Sequence, residues 1–309
     1  MYCPPAVGFR CTNGRFINPE NQNLGMRREA MGTALALLGM VIYGLEPVVI
    51  KSNPTSPISF AALSALVASL ILWTAVGWGG GLDEIRENPT GIKPAFLVGF
   101  LGTALAYLAY SFGARMSTAI NAALITRSEV LWSFLLAWLL LGERITKRLV
   151  AYSLVILTGL VLIMVPGHSV ELRRGDLLLF LVPLFWQLGH VIAKRLPYSP
   201  QTIAALRNTF GFLLLLPLAA ASGLEFSGFV IAEGLVIAAG QLVWYGSIKR
   251  INLSKATAII TPAPAVAIGV SVLLGETLTL RHAAGFALIT AGTLGAIKVK
   301  SAIKTEGTP

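Results

Sequence analysis

Ten apolar segments of about 20 residues, at 31–50, 58–78, 93–114, 118–141, 149–165, 176–193, 202–221, 228–248, 254–274 and 280–297, constrain this chain more than any other feature. Each is long enough to cross a hydrocarbon core of about 30 Å as a helix. In lipid every backbone amide and carbonyl must be bonded internally, which leaves only helices and closed barrels. Barrel strands alternate apolar and polar residues over about ten positions, whereas residues 130–141 are apolar except for Ser133. The expected fold is therefore an all-α polytopic membrane protein with ten transmembrane helices. Only 12% of the residues are charged, against about a quarter in soluble domains, and the connections are too short to hide a soluble domain.

The net charge of +10 does not imply nucleic acid, because that partner requires a basic face on a soluble domain. Charge placement gives orientation instead. With the N-terminus in the cytoplasm, 17 of the 24 basic residues fall in inner loops and tails and 5 outside, so both termini are expected to be cytoplasmic, in the cell membrane. The first 25 residues are polar and lack the apolar stretch of a cleavable signal peptide. The first span is then its own insertion signal, and Met26, followed by Arg27 and Arg28, is an alternative start. Cys3 and Cys11 fall short of the four ligands of a structural zinc site and read as ordinary reduced thiols. No metal and no cofactor is expected.

The chain repeats itself. Ser56-Pro57-Ile58-Ser59-Phe60-Ala61-Ala62-Leu63 recurs 143 residues later as Ser199-Pro200-Gln201-Thr202-Ile203-Ala204-Ala205-Leu206, and Leu141-Gly142-Glu143-Arg144-Ile145-Thr146 recurs at an offset of 133 as Leu274-Gly275-Glu276-Thr277-Leu278-Thr279. The organisation read from this is a polar, disordered cytoplasmic tail (1–30), two five-helix repeats (31–166 and 175–298) and a short cytoplasmic tail (299–309). Five is odd, so the second copy enters the membrane from the opposite side and the halves are inverted. Inverted repeats place a solute site near the midplane between the halves, and exchange of their conformations gives alternating access. In each Gly-Glu motif the glycine ends one helix and Thr146 or Thr279 caps the next. Glu143 and Glu276 are then expected beside the N-terminus of that following helix, as hairpin formers rather than solute ligands.

Ionisable groups inside spans are costly and usually face a cavity or a partner. The candidates are Glu46, Arg127, Glu129, Arg207 and His190, whose repeat mates, Gly189, Ile260, Pro262, Ser64 and Pro47, carry no charge. A symmetric scaffold with one-sided chemistry suits a polar, asymmetric solute. Arg127 and Glu129 lie about 200° apart on an ideal helix, so at most one is expected to point squarely into a cavity. Glu129 is read as a solute or proton ligand or as half of a buried pair, Glu46 as a gating or structural group, Arg207 as a ligand or a snorkelling side chain, and His190 as a ligand or a packing residue. Glu233, close to the outer end of its span, reads as solvated. Tyr43, Tyr107, Tyr110, Trp132, Trp186, Gln187, Gln241 and Trp244 complete the cavity hypothesis, each with an alternative in packing or interface anchoring. Ala287, Ala291 and Gly295 read as a close-packing stripe on the last helix.

Ten spans in two five-helix halves, with Leu139-Leu140-Leu141-Gly142-Glu143 and Leu273-Leu274-Gly275-Glu276 closing the fourth helix of each half, resemble the EamA branch of the drug/metabolite transporter superfamily. The resemblance spans 31–298 and implies a carrier of amino acids, other metabolites or drugs. Relatives often carry Glu-Pro in the fourth helix of a half, whereas Glu129 is followed by Val130 and its mate is Pro262. The basic residue often found in the second helix of a half is kept as Arg207 but is Ser64 in the first half. The implied function is secondary transport of a small polar, amino-acid-like solute, in the export direction and with possible proton coupling, by a monomer or homodimer whose partners are the solute and the lipid bilayer. A membrane-embedded enzyme and a non-transporting receptor are the alternatives. The chain has no His-Glu-x-x-His motif and no paired intramembrane aspartates.

Overall fold

A computed structural model of the chain describes residues 10–12, 15–17, 19–117, 119–165, 172–273 and 279–301. Cys3 and the second copy of the hairpin motif at Leu274, Gly275 and Glu276 lie outside the described residues. Apart from a two-stranded ribbon, β1 (Arg10–Thr12) and β2 (Arg15–Ile17), the described chain is helical. The first half comprises α1 (Pro19–Ser52), α2 (Pro57–Trp78), the short α3 (Gly81–Glu87), α4 (Ile92–Gly99), α5 (Ala106–Arg115), α6 (Ala119–Ile125), α7 (Glu129–Leu141) and α8 (Lys147–Met164). The second comprises α9 (Asp176–Arg195), α10 (Pro200–Ala221), α11 (Phe229–Ile248), α12 (Leu253–Ile260), α13 (Ala263–Leu273) and α14 (Leu280–Lys298).

Nine helical segments among the described residues are long and apolar enough to cross a membrane. The expected tenth, 118–141, is helical from Ala119 but broken, with a tight 3-10 turn at Thr126–Ser128 between α6 and α7. Its mate is broken at the same place, since α12 ends at Ile260 and α13 begins at Ala263, one repeat offset from the first break. Pro262 and Pro264 lack the amides that would continue the second helix. The first break has no proline. There the Thr126 hydroxyl donates to the Ala122 carbonyl at 2.8 Å, a back-bond of the kind that bends helices. Interrupted helices facing each other across a repeat interface are where transporters bind solutes.

Repeat mates run antiparallel. At one end of the α2–α10 pair the Ser59 hydroxyl donates to the Gly223 carbonyl at 3.1 Å and the Ser56 amide to Glu225 at 2.7 Å. At the other end the Ser199 amide donates to Glu84 at 2.8 Å. The α8–α14 pair is closer still: a Cβ on Gly159 would lie 2.8 Å from the Gly285 carbonyl. The close-packing face of α14 therefore runs through Gly285, Gly292 and Gly295, while Ala287 and Ala291 are exposed. That corrects the expected stripe, because it is the missing Cβ that allows the backbones together. Across the halves, α1 packs on α11, and α9 packs on the α4–α5 helix, each first helix against the third helix of the other repeat.

Helix ends follow their sequences. Thr146 accepts from the Leu149 amide at 3.2 Å and Thr279 from the His282 amide at 3.4 Å, and Gly142 closes α7 with φ of +65°. Glu143 departs from expectation. It does not serve α8; it reaches across to α12 in the other repeat and accepts from the Leu253 amide at 2.7 Å and from the Ser254 amide and hydroxyl at 3.1 and 2.7 Å. The start of α12 is buried throughout, so its unbonded amides need an acceptor from elsewhere in the protein. α1 also departs, starting at Pro19. Residues 19–30 are ordered helix and not a disordered tail, because Arg28 donates to the Lys249 carbonyl at 3.0 Å and Glu29 pairs with Lys255 at 2.8 Å.

Candidate functional site

A cavity of about 600 Å³ lies between the halves, bounded by α1, α2, the α4–α5 helix, both broken helices, α9, α10 and α11. It reaches the exposed Ile50 at the end of α1 and Met164 at the end of α8. At the opposite end of the molecule Glu143 and Lys255 are buried, and no described residue there lines the cavity. The volume falls within the range of small-molecule sites, about 300–1,000 Å³.

Eleven of the thirteen sequence candidates line it: Tyr43, Glu46, Tyr107, Tyr110, Arg127, Glu129, Trp186, His190, Arg207, Gln241 and Trp244. Gln187 stands behind the wall with its Nε2 donating to Glu129 Oε1 at 2.8 Å. Arg127 and Glu129 both face the cavity despite their spacing, because they flank the point where the helix is interrupted. Trp132 does not. It is partly exposed on the outside of α7, its ring against Phe180 at 5.2 Å and its Nε1 donating to the Phe180 carbonyl.

Arg207 is not a snorkelling residue. Only 8% exposed, it donates from Nε to the Thr103 hydroxyl at 3.1 Å, from Nη1 to the Tyr245 hydroxyl at 3.0 Å and from Nη2 to the Gly102 carbonyl at 2.6 Å. Gly102 and Thr103 lie in Phe100–Leu105, where the helix between α4 and α5 widens into π geometry. Such bulges disturb the regular carbonyl ladder and recur at functional sites. The guanidinium therefore ties α10 to the opposing repeat while one face remains on the cavity. Next to it Asn208 Nδ2 donates to Gln241 Oε1 at 2.7 Å. His190 packs against the Trp244 ring with centroids 4.9 Å apart.

Two features distinguish the cavity wall. None of its charged groups forms an ion pair; those among the described residues join Arg86 to Asp83, Lys194 to Glu143 and Lys255 to Glu29. Three of its residues also carry a buried polar atom without a protein partner, namely Arg127 Nε, His190 Nδ1 and Trp244 Nε1. Buried polar groups are normally satisfied, which sets this wall apart from the rest of the interior.

Sequence reasoning missed Thr103 and Asn208, which line the cavity, and misplaced Glu233. Asn208 had a signal, adjacency to Arg207; a single threonine in an apolar run had none. Glu233 is not solvated at its helix end but fully buried, with neither carboxyl oxygen hydrogen-bonded. That end of α11 is packed between α1 and α2, with Val67 and Ala68 of α2 against the adjacent Gly234.

A model of the EamA-like transporter family matches residues 30–165 and 173–297. A Pseudomonas aeruginosa protein described as uncharacterized is 30% identical over 288 residues, covering 87% of this chain and 96% of its own. Two relatives described as uncharacterized transporters are YyaM of Bacillus subtilis, 24% identical over 78% of this chain and 84% of its own, and a Clostridium kluyveri protein, 25% identical over 85% and 92%. One solved crystal structure superimposes with a TM-score of 0.71 at 18% identity, covering 86% of this chain and 97% of the other, a likeness of fold. The chain belongs to the EamA-like transporter family and is a multi-pass membrane protein of the drug/metabolite transporter superfamily.

Proposed function

We propose that the protein is a secondary transporter that exports a small zwitterionic, amino-acid-like solute across the cell membrane, both termini being cytoplasmic, by alternating access between the repeats 31–166 and 175–298. The observation that carries this reading is the set of unpaired opposite charges, Glu129 and Arg127, flanking a helix break on the wall of a cavity between inverted halves. Glu129, steadied by Gln187, holds the cationic group of the solute. Arg127 holds the anionic group, because Arg207 already spends donors from all three guanidinium nitrogens on Thr103, Tyr245 and Gly102. Tyr43, Tyr107, Tyr110, Trp186, Gln241 and Trp244 shape the remaining wall. With the cavity reaching Ile50 and Met164 and Glu143 buried at the other end, this conformation reads as outward-open.

Family membership points to a transporter rather than a membrane enzyme. A receptor would leave the antiparallel repeat mates without a purpose. The test is a thermal-shift screen of the purified protein against amino acids, nucleobases, polyamines and sugar phosphates. Zwitterionic amino acids should raise the unfolding temperature of the wild type and not of Arg127→Gln. Stabilisation by polyamines or sugar phosphates alone would overturn the proposed solute class.

A further inference from the structure

Glu233 has no place in the solute site, and its burial without a hydrogen bond requires an explanation. The packing of α1 on α11 supplies a register: a Cβ on Gly32 would lie 2.8 Å from Arg250 Cβ, one on Gly39 3.4 Å from Val243 Cγ2, and one on Gly240 2.8 Å from the Tyr43 ring. The helices are antiparallel, and stepping three residues on from Tyr43 and seven back from Gly240 puts Glu46 and Glu233 roughly 6 Å apart along the axes at 1.5 Å per residue. Two glutamate side chains are long enough to span that gap, which brings the carboxyls within reach of each other. Glu46 faces the cavity and Glu233 lies behind it, entirely buried.

The charges around the pair are countable. Tyr43 comes from α1 itself, Tyr107 and Tyr110 from α5, Arg127 from the first helix break and Arg207 from α10. His190 of α9 lies further along α11, against Trp244. α2, packed against α11, and α13, packed against α1, carry no ionisable side chain. Three carboxyls, Glu46, Glu129 and Glu233, thus face two arginines, and one proton brings the set to neutrality. Two carboxylates this close, with no donor hydrogen-bonded between them among the described residues, cannot both stay ionised in a low-dielectric interior.

We propose that Glu46 and Glu233 form a proton-binding site, holding one proton between their carboxyls, with Glu46 as the member reached from the cavity. The proton is a ligand distinct from the solute held at Glu129. Pro47 follows Glu46 inside α1 and deprives the Tyr43 carbonyl of its helical partner, so the backbone under the pair is free to bend as the halves exchange. Coupling of this proton to solute movement rests on the transport reading; proton binding itself does not.

The test is pH-difference infrared spectroscopy of the purified protein in lipid, read in the carbonyl stretch of the protonated carboxylic acid, and it needs no solute. The wild type should show a band that titrates and shifts in deuterium oxide. Glu233→Gln and Glu46→Gln, both isosteric with the protonated form, should each abolish it, and Glu129→Gln should leave it in place. A band that survives both substitutions at the pair, or that disappears with Glu129 instead, would overturn the assignment. Failure of every solute to move in liposomes would count against transport and leave this readout standing.

Discussion

Glu143→Ala should cost the protein far more than a surface glutamate would. The side chain is 6% exposed, accepts three hydrogen bonds from the start of α12 and lies 3.2 Å from Lys194 Nζ. Removing an N-terminal helix cap costs about 1 kcal/mol, and a hydrogen bond to a charged group contributes about 1.5–3 kcal/mol. Breaking a fully buried ion pair from one side costs about 3–5 kcal/mol. Lys194 retains 23% side-chain exposure and a bond to the Ile251 carbonyl at 2.6 Å, which brings the expected loss for Glu143→Ala to about 3 kcal/mol. Glu143→Gln, whose amide oxygen still accepts from α12, should lose about 1–2 kcal/mol. Reversible unfolding in mixed micelles reads both. Adding Lys194→Met to Glu143→Ala should recover part of the loss by removing a stranded ammonium. A cost below about 1 kcal/mol for Glu143→Ala, or no recovery in the double variant, would refute the cross-repeat cap.

Gly159→Leu should destabilise by about 3 kcal/mol or more, because its Cβ would press on the backbone of α14, whereas Ala287→Leu on the exposed face should stay within about 0.5 kcal/mol. Lys249 donates to the Leu196 carbonyl; burial, and then the charge of Lys194, push its ammonium down from 10.5 to about 8. Above pH 8 the folded protein releases this proton while the unfolded chain keeps it up to 10.5, so Lys249 makes stability rise with pH across that window; acylation of its amine should show the same midpoint near 8, and an ordinary lysine profile would contradict the burial. With Cys3 and Cys11 replaced, cysteines at Gly80 and Ser199 should be labelled only from the cytoplasm and those at Ser52 and Gly223 only from outside, and external labelling at Ser199 would end the inverted arrangement.

The legible parts of this protein were those set by period and repetition. Segment length located nine of the spans, and the Ser-Pro and Gly-Glu-x-x-Thr echoes identified α2 with α10 and α8 with α14 as corresponding helices, though not that they pack on each other. The intramembrane charges marked the cavity because lipid tolerates so few of them. What could not be read was relation across the repeat interface. Glu143 looked like a local hairpin residue because nothing in its own neighbourhood shows that the start of α12 is buried and short of an acceptor. Arg127 and Glu129 seemed to exclude each other because an ideal helix was assumed through Thr126–Ser128. Glu233 looked solvated because the helices that pack on α11, α1 and α2, lie far from it in the chain.

Solute counterflow in liposomes tests the central claim most directly. Purified protein is reconstituted with an unlabelled amino acid inside, chosen from those that stabilise it, and uptake of the labelled form is followed with no pH gradient. Wild-type protein should accumulate label transiently above equilibrium. Arg127→Gln and Glu129→Gln should each abolish accumulation at normal abundance and fold, since each removes one of the two charges that hold a zwitterion, while Ala287→Leu should transport normally. Undiminished counterflow in both charge variants would contradict a solute site at the helix break.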